Sequence, residues 1–174
     1  GKKVLFINSY HKGNRWSDDI ENGVRKIFDQ SSRAVDLKFF RMDSKRNKSE
    51  KFMKLAALRA KQLILTWEPE IVIAADDNAS KYIVSPYIKG TGTPVVFCGV
   101  NWDASEYGFP CANITGMIEV NAADELVKLL RQYAKGDRLA IIAEPTFTTK
   151  KVIRSYKSNL GLTFTEEVFP EDFD

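Results

Sequence analysis

Two cysteines, one histidine and the lack of any long apolar run set the first limits on this 174-residue chain. No stretch approaches the ~18 consecutive apolar residues that a membrane span needs. Cys98 and Cys111 are too few for a disulfide scaffold. Cys98 closes an apolar run, as a small buried hydrophobe would, and a Cys98–Cys111 bridge stays open in an oxidising compartment. With His11 far from both, a zinc site has no ligand set. Charge of one sign is also scarce: 26 Lys and Arg face 23 Asp and Glu, for a net +3. The densest basic cluster (Lys45, Arg46, Lys48, Lys51, Lys54) has no interleaved aromatics, so it describes a solvated helix start and not a nucleic-acid surface. No G-x-G-x-x-G follows the first strand, which removes the usual dinucleotide site. No signal-type segment is present; since Gly1 is not a natural start, export stays open.

What is present is an ordinary globular composition, 44% hydrophobic and 28% charged. At this length the chain can build one good core, or one domain and part of another. The central stretch is EIVIAADDNAS, Glu70 to Ser80. Its apolar run Ile71–Ala75 halts at Asp76-Asp77-Asn78, and a helical pattern then starts with Ala79, Tyr82 and Ile83. A short β-branched run that ends in cap-type residues predicts a buried parallel strand feeding a helix. The same strand-then-polar-tip layout recurs at Val4–Asn8 and Val95–Asn101. In open α/β sheets ligands sit at the carboxyl ends of the strands, so three such tips are expected to converge on one place.

In chain order, Lys3–Ser9 forms the first strand and Tyr10–Trp16 a loop. Ser17 is the expected N-cap of a helix that carries Ile20, Val24, Ile27 and Phe28 on one face and stops near Ser31. Val35–Arg41 is a second strand. Ser49 caps a long helix that buries Phe52, Met53, Ala56, Ala60, Leu63, Ile64 and Trp67, and Pro69 closes it. After the central strand comes a short helix ending near Pro86 and Tyr87, then a turn-rich link (90–94). The fourth strand is Val95–Cys98, followed by a long loop from Gly99 to Pro110 with one possible turn of helix, and then a short fifth strand, Asn113–Met117. Beyond Met117 the pattern restarts: a helix capped by Asn121 and ending at Gly136, a strand Arg138–Ala143, a polar tip Glu144-Pro145-Thr146, a helix Thr148–Asn159 with Gly161 after it, and a strand Leu162–Phe169. This alternation predicts an α/β, doubly wound parallel sheet with right-handed crossovers over residues 1–118. Residues 119–174 are expected to open a second, unfinished lobe.

Four segments carry a resemblance: NSYHKGNRWSDDI (8–20), IVIAADDNAS (71–80), PVVFCGVNWDASEYG (94–108) and NITGMIEV (113–120). Together they resemble the substrate-binding proteins of ABC transporters, in the branch related to tryptophan- and phenylalanine-binding lipoproteins with the type I periplasmic binding fold. Similar stretches occur in extracellular sensor domains of bacterial histidine kinases. The resemblance implies two Rossmann-like lobes closing on a small-molecule solute, an ABC permease as membrane partner, a location outside the cytoplasmic membrane with lipid anchoring in the full-length protein, no cofactor and no catalysis. The alternative it leaves open is the ligand-sensing ectodomain of a signalling receptor. The unfinished second lobe also leaves room for a homodimer through its exposed sheet edge. In such a family the N-x-S/T triplets at Asn47, Asn78 and Asn113 are chance matches.

The expected binding wall has three parts. Ser9, Tyr10, His11 and Trp16 follow the first strand and offer hydroxyls, an imidazole and an aromatic platform. Asp76, Asp77, Asn78, Ala79 and Ser80 open the helix after the third. There, backbone N–H groups suit a carboxylate and the acidic pair an ammonium, which together suit a zwitterion such as an amino acid. Gly99, Asn101 and Trp102 follow the fourth strand, with Gly99 allowing close backbone approach and Trp102 a stacking surface. From the second lobe, Glu144, Thr146 and Thr149 hold the matching strand-exit position. The branch resembled, with Trp16 and Trp102, favours an aromatic amino acid, with a sugar or a nucleoside left open. An enzymatic use of Asp76-Asp77 would want a third aspartate and a lysine on neighbouring strand ends, and the sequence supplies neither.

Overall fold

The computed structural model describes residues 1–170, and the chain divides into two compact units, Gly1–Glu119 and a second beginning at Val120. In the first, the elements run β1 (Lys2–Asn8), α1 (Arg15–Asp29), β2 (Val35–Arg41), α2 (Glu50–Trp67), β3 (Ile71–Ala75), α3 (Asp76–Ala79), a π-helical turn (Ser80–Val84), α4 (Ser85–Tyr87), β4 (Val95–Asn101) and β5 (Ile114–Glu119). A 3-10 turn, Ser105–Tyr107, lies in the loop between β4 and β5. The five strands form one parallel sheet in the order β2-β1-β3-β4-β5. The doubly wound architecture expected from the alternation of elements is therefore the one formed.

Burial explains the order. Val4, Leu5, Phe6 and Ile7 are sealed from solvent, so β1 is apolar on both faces and must sit inside the sheet. The step from β1 to β2 runs one way along the sheet and the step from β2 to β3 the other. Right-handed crossovers then put α1 and α2 on opposite faces. The helical run after β3 moves in the same direction as α2, and the π-helical turn packs against α2. Chain direction along the sheet thus reverses between β1 and β3, which opens a crevice at their carboxyl ends.

Local signals account for most helix ends. Ser49 caps α2 by accepting from the Phe52 N–H at 3.3 Å, and Met53, Ala56, Ala57 and Ala60 turn inward. Glu68 ends the helix in a left-handed conformation (φ 52°), with Pro69 behind it. The expected cap at Ser17 is corrected: Asn14 is the N-cap and accepts from the Ser17 N–H at 3.2 Å. Asn14 is itself a strong cap and the helix can start one turn earlier, so Ser17 is buried within α1 and Trp16 lies on the helix instead of in the loop. The possible bridge between Cys98 and Cys111 does not form; both are free thiols.

The second unit holds α5 (Ala123–Tyr133), β6 (Ala140–Ile142), α6 (Phe147–Leu160) and β7 (Glu166–Val168), with β6 and β7 paired in parallel. Three expectations change here. Ala122, not Asn121, precedes α5, with no side-chain cap bond, and the helix ends at Tyr133, short of Gly136. The strands shrink to three residues each from the expected 138–143 and 162–169. A two-stranded pair with little apolar cover has no reason to extend further; Val127 and Ile153 are buried, while Leu126, Leu129, Leu130, Tyr133 and Ile142 are exposed.

Gly116 fixes how β5 meets β4. A Cβ there would lie 2.2 Å from the Phe97 carbonyl oxygen and 2.5 Å from its ring. Backbone cannot move aside as a flexible side chain can. Gly116→Ala is therefore expected to lower stability by about 2 kcal/mol, read as a fall in the chemical-denaturation midpoint at unchanged slope; an unchanged midpoint would show that β5 is not held against Phe97.

Candidate functional site

β1 and β3 end level, while β4 runs on past a bulge to Asn101, three residues beyond its expected end at Cys98. Asn8 of β1 pairs in register with Ala75 of β3, and Ala75 with Cys98 of β4. Neighbouring parallel strands bring their loops to one rim, and each exit leaves polar backbone groups that must find partners. Ser9 meets that demand: its Oγ donates to the Ala75 carbonyl at 2.8 Å and accepts from the Ala79 N–H at 2.8 Å. Ser44, after β2, donates to the Ser9 carbonyl at 2.6 Å and accepts from the Asn78 amide at 3.1 Å. Asp77 ties in β4 by accepting from the Asn101 N–H (3.2 Å), the Asn101 amide (2.7 Å) and the Tyr107 hydroxyl (2.7 Å). Four of the five strand exits are thus joined by side chains.

Asp76 is the unusual member. It starts α3 with φ of 76°, a left-handed conformation that a non-glycine residue seldom takes. It is 2% exposed, and its Oδ2 is buried without a hydrogen-bond partner. The Tyr10 hydroxyl and the backbone N–H groups of Asp77 and Asn78 reach the carboxyl group. Burial, then the neighbouring Asp77 charge, pushes the Asp76 carboxyl up to about 7. Burial and the nearby Asp76 charge also raise the Tyr10 hydroxyl far above its ordinary range. The Cys98 thiol, pushed up to about 11 chiefly by burial, is protonated at neutral pH and so a poor nucleophile.

Over this acidic layer lies an aromatic surface. Tyr10 and Trp16 meet edge to face with centroids 5.7 Å apart, and the Lys45 ammonium lies 5.3 Å from the Tyr10 ring. Both rings are half-buried. Gly99 makes the arrangement possible: its φ is 66°, and a Cβ would sit 2.7 Å from two carbons of the Trp16 ring. His11 turns instead toward the β2 exit, its Nδ1 3.5 Å from Asp43 Oδ1. Arg46 holds that aspartate below the usual carboxylate range through a hydrogen bond at 2.7 Å.

The structure sorts the expected wall residues by depth. Tyr10, His11, Trp16, Asn78, Gly99 and Asn101 are half-buried at the rim. Ser9, Asp77, Ala79 and Ser80 are fully buried and bonded to the fold itself. The Asn78 N–H reaches the Asp76 carboxyl, the Ala79 N–H is taken by Ser9 and the Ser80 N–H bonds the Asp76 carbonyl. The expectation that these helix-start N–H groups lie free for a carboxylate is therefore corrected. Trp102 is buried and lines a separate hollow of about 270 Å3 with Phe97, Phe109 and Gly116. Glu144, Thr146 and Thr149 belong to the second unit, where Thr146 caps α6 by accepting from the Thr149 N–H at 3.1 Å. Ser44 and Tyr107 escaped the sequence reading because each sits in a loop without periodicity. Among the described residues no group of His, Cys, Asp and Glu is clustered as a metal site, and no helix is long and apolar enough to cross a membrane.

No family profile and no curated protein matches the chain. Solved structures do share its fold. One is an ABC domain from Streptococcus pneumoniae in complex with L-Trp, with TM-score 0.67, 16% identity, and 97% of this chain and 57% of that one covered. Another is a ligand-free, open substrate-binding protein with adhesive properties from Clostridium difficile, with TM-score 0.58, 14% identity, and 98% and 58% covered. A third, a conserved domain protein from Vibrio cholerae, gives TM-score 0.68, 12% identity, and 98% and 58% covered. The first unit shares with them an α/β architecture, a parallel sheet flanked by helices. The chain spans less than three-fifths of the length of these structures.

Two measurements test the network. Tyr107→Phe deletes one donor to the buried Asp77 carboxylate and is expected to cost about 2 kcal/mol of stability, with little change for a control Tyr133→Phe, whose ring is exposed. Asp76, whose carboxyl titrates higher folded than unfolded, holds its proton more tightly in the native state. That contribution is complete below about pH 4, shrinks as pH rises, and is lost above about pH 7. Asp76→Asn should then be more stable than the parent at pH 8 by at least about 1 kcal/mol, with the gain vanishing near pH 4; a pH-independent difference would count against a buried, high-titrating Asp76.

Proposed function

We propose that the first unit is a solute-binding lobe that holds a small organic molecule, an amino acid and preferably an aromatic one, at the carboxyl ends of β1, β3 and β4. The observation that carries this reading is the Tyr10–Trp16 surface, half-buried over Asp76 at the point where strand order reverses. Flat rings offer a flat solute large contact area with little loss of side-chain freedom. The Gly99 backbone lets Trp16 lie against the β4 exit. Neighbours of the same fold add support, since one of them was solved with L-Trp. In this reading the protein works outside the cytoplasmic membrane, and an ABC permease receives the solute.

Thermal melting in the presence of aromatic amino acids, sugars and nucleosides tests the proposal. Tryptophan or phenylalanine is expected to raise the melting temperature; at 100 times its dissociation constant a ligand adds about 2.7 kcal/mol. Trp16→Ala should weaken that binding at least tenfold while leaving the secondary structure intact. Stabilisation by sugars or nucleosides alone would overturn the amino-acid assignment.

A further inference from the structure

We infer that Asp76 selects for solutes bearing a cationic nitrogen, and that an ammonium group seats on its buried carboxylate beneath Tyr10. The inference rests on the solute-binding reading and names the chemistry that the site recognises. Two adjacent aspartates behave differently. Asp77 has donors from Asn101 and Tyr107 at 2.7–3.2 Å. Asp76 keeps an Oδ2 that is buried and without a hydrogen-bond partner, on a backbone held at φ 76°. A lone buried acceptor beside a second acid is costly unless something donates to it.

Among the described residues, the groups that act on Asp76 supply no countercharge. They are Asp77 on α3, Tyr10 after β1, and Tyr107 in the loop after β4. Cys98 at the β4 exit feels Asp76, and Glu119 at the end of β5 acts on Cys98 and Tyr10. Each of these is an acid or a neutral group. Lys45 lies against the Tyr10 ring, its ammonium 5.3 Å from the centroid. An ammonium would supply both the missing donor and the missing charge, and the Tyr10 and Trp16 rings would add cation–π attraction. Strain at a left-handed aspartate is the kind of backbone cost that persists where a carboxylate must be aimed.

Binding a cation needs Asp76 ionised, so uptake of the ligand releases a proton whenever the pH lies below about 7. NMR titration of the 174-residue chain with tryptamine, L-tryptophan and indole-3-propionate at pH 8 and pH 5.5 is the test. Tryptamine and tryptophan should bind at least tenfold more tightly than indole-3-propionate, which lacks the amine. Tryptamine affinity should fall about 30-fold from pH 8 to pH 5.5. Asp76→Asn, a substitution that tolerates positive φ, should abolish both the preference and the pH dependence. If that variant fails to fold, the pH dependence of the parent chain decides alone. Equal binding of indole-3-propionate, or pH-independent tryptamine binding, would overturn the inference and leave solute binding standing. Absence of binding by all three would overturn both.

Discussion

The rim of the first unit depends on the Ser9 hydroxyl, which satisfies a strand carbonyl and a helix N–H at once. Neighbouring parallel strands leave their last carbonyls and the first N–H groups of the next helix pointing into the same small space. Water could satisfy them in an open rim. Here they are buried, so side chains must do it. Ser9 locks β1 to β3, Ser44 locks β2 to β1 and α3, and Asp77 locks β4 to α3. This division of labour makes the wall stiff, because each bond spans loops that would otherwise move separately.

A rigid base has a consequence for chemistry. With Ser9, Ala79, Ser80 and Asp77 absorbed by the fold, the polar and aromatic groups half-buried at the rim are the Tyr10 and Trp16 rings and the Asn78 and Asn101 amides, above the buried Asp76 carboxyl. Under the proposed reading, such a set would discriminate by shape and charge. It lacks a nucleophile paired with a base: His11 faces Asp43, and burial keeps the Cys98 thiol protonated. Trp102 looks similar to Trp16 in sequence but is buried, and lines a separate hollow with Phe97, Phe109 and Gly116. The hydrogen bonds of Asn113 show the same economy, since its amide holds the Ile88 and Thr93 carbonyls together.

Much of the fold was legible because its signals are local. The runs Val4–Ile7 and Ile71–Ala75, the Ser49 cap and the Pro69 stop each act within a few residues. The errors at Ser17 and Asn121 arose where several polar residues competed as helix starts, and short-range preference could not rank them. The second unit was the least legible, because three-residue strands carry almost no periodicity.

By itself the sequence determined the alternation of strands and helices, and that polar tips would follow β1, β3 and β4, because apolar periodicity and helix starts act over a few neighbouring residues. Only the tertiary structure decided which tip residues face outward and which face one another. The bonds responsible join Ser9 to Ala79 and Asp77 to Tyr107, residues 70 and 30 positions apart. No local preference encodes such pairings; they exist once the sheet has brought its strand ends into register, and burial then forces polar atoms to find partners.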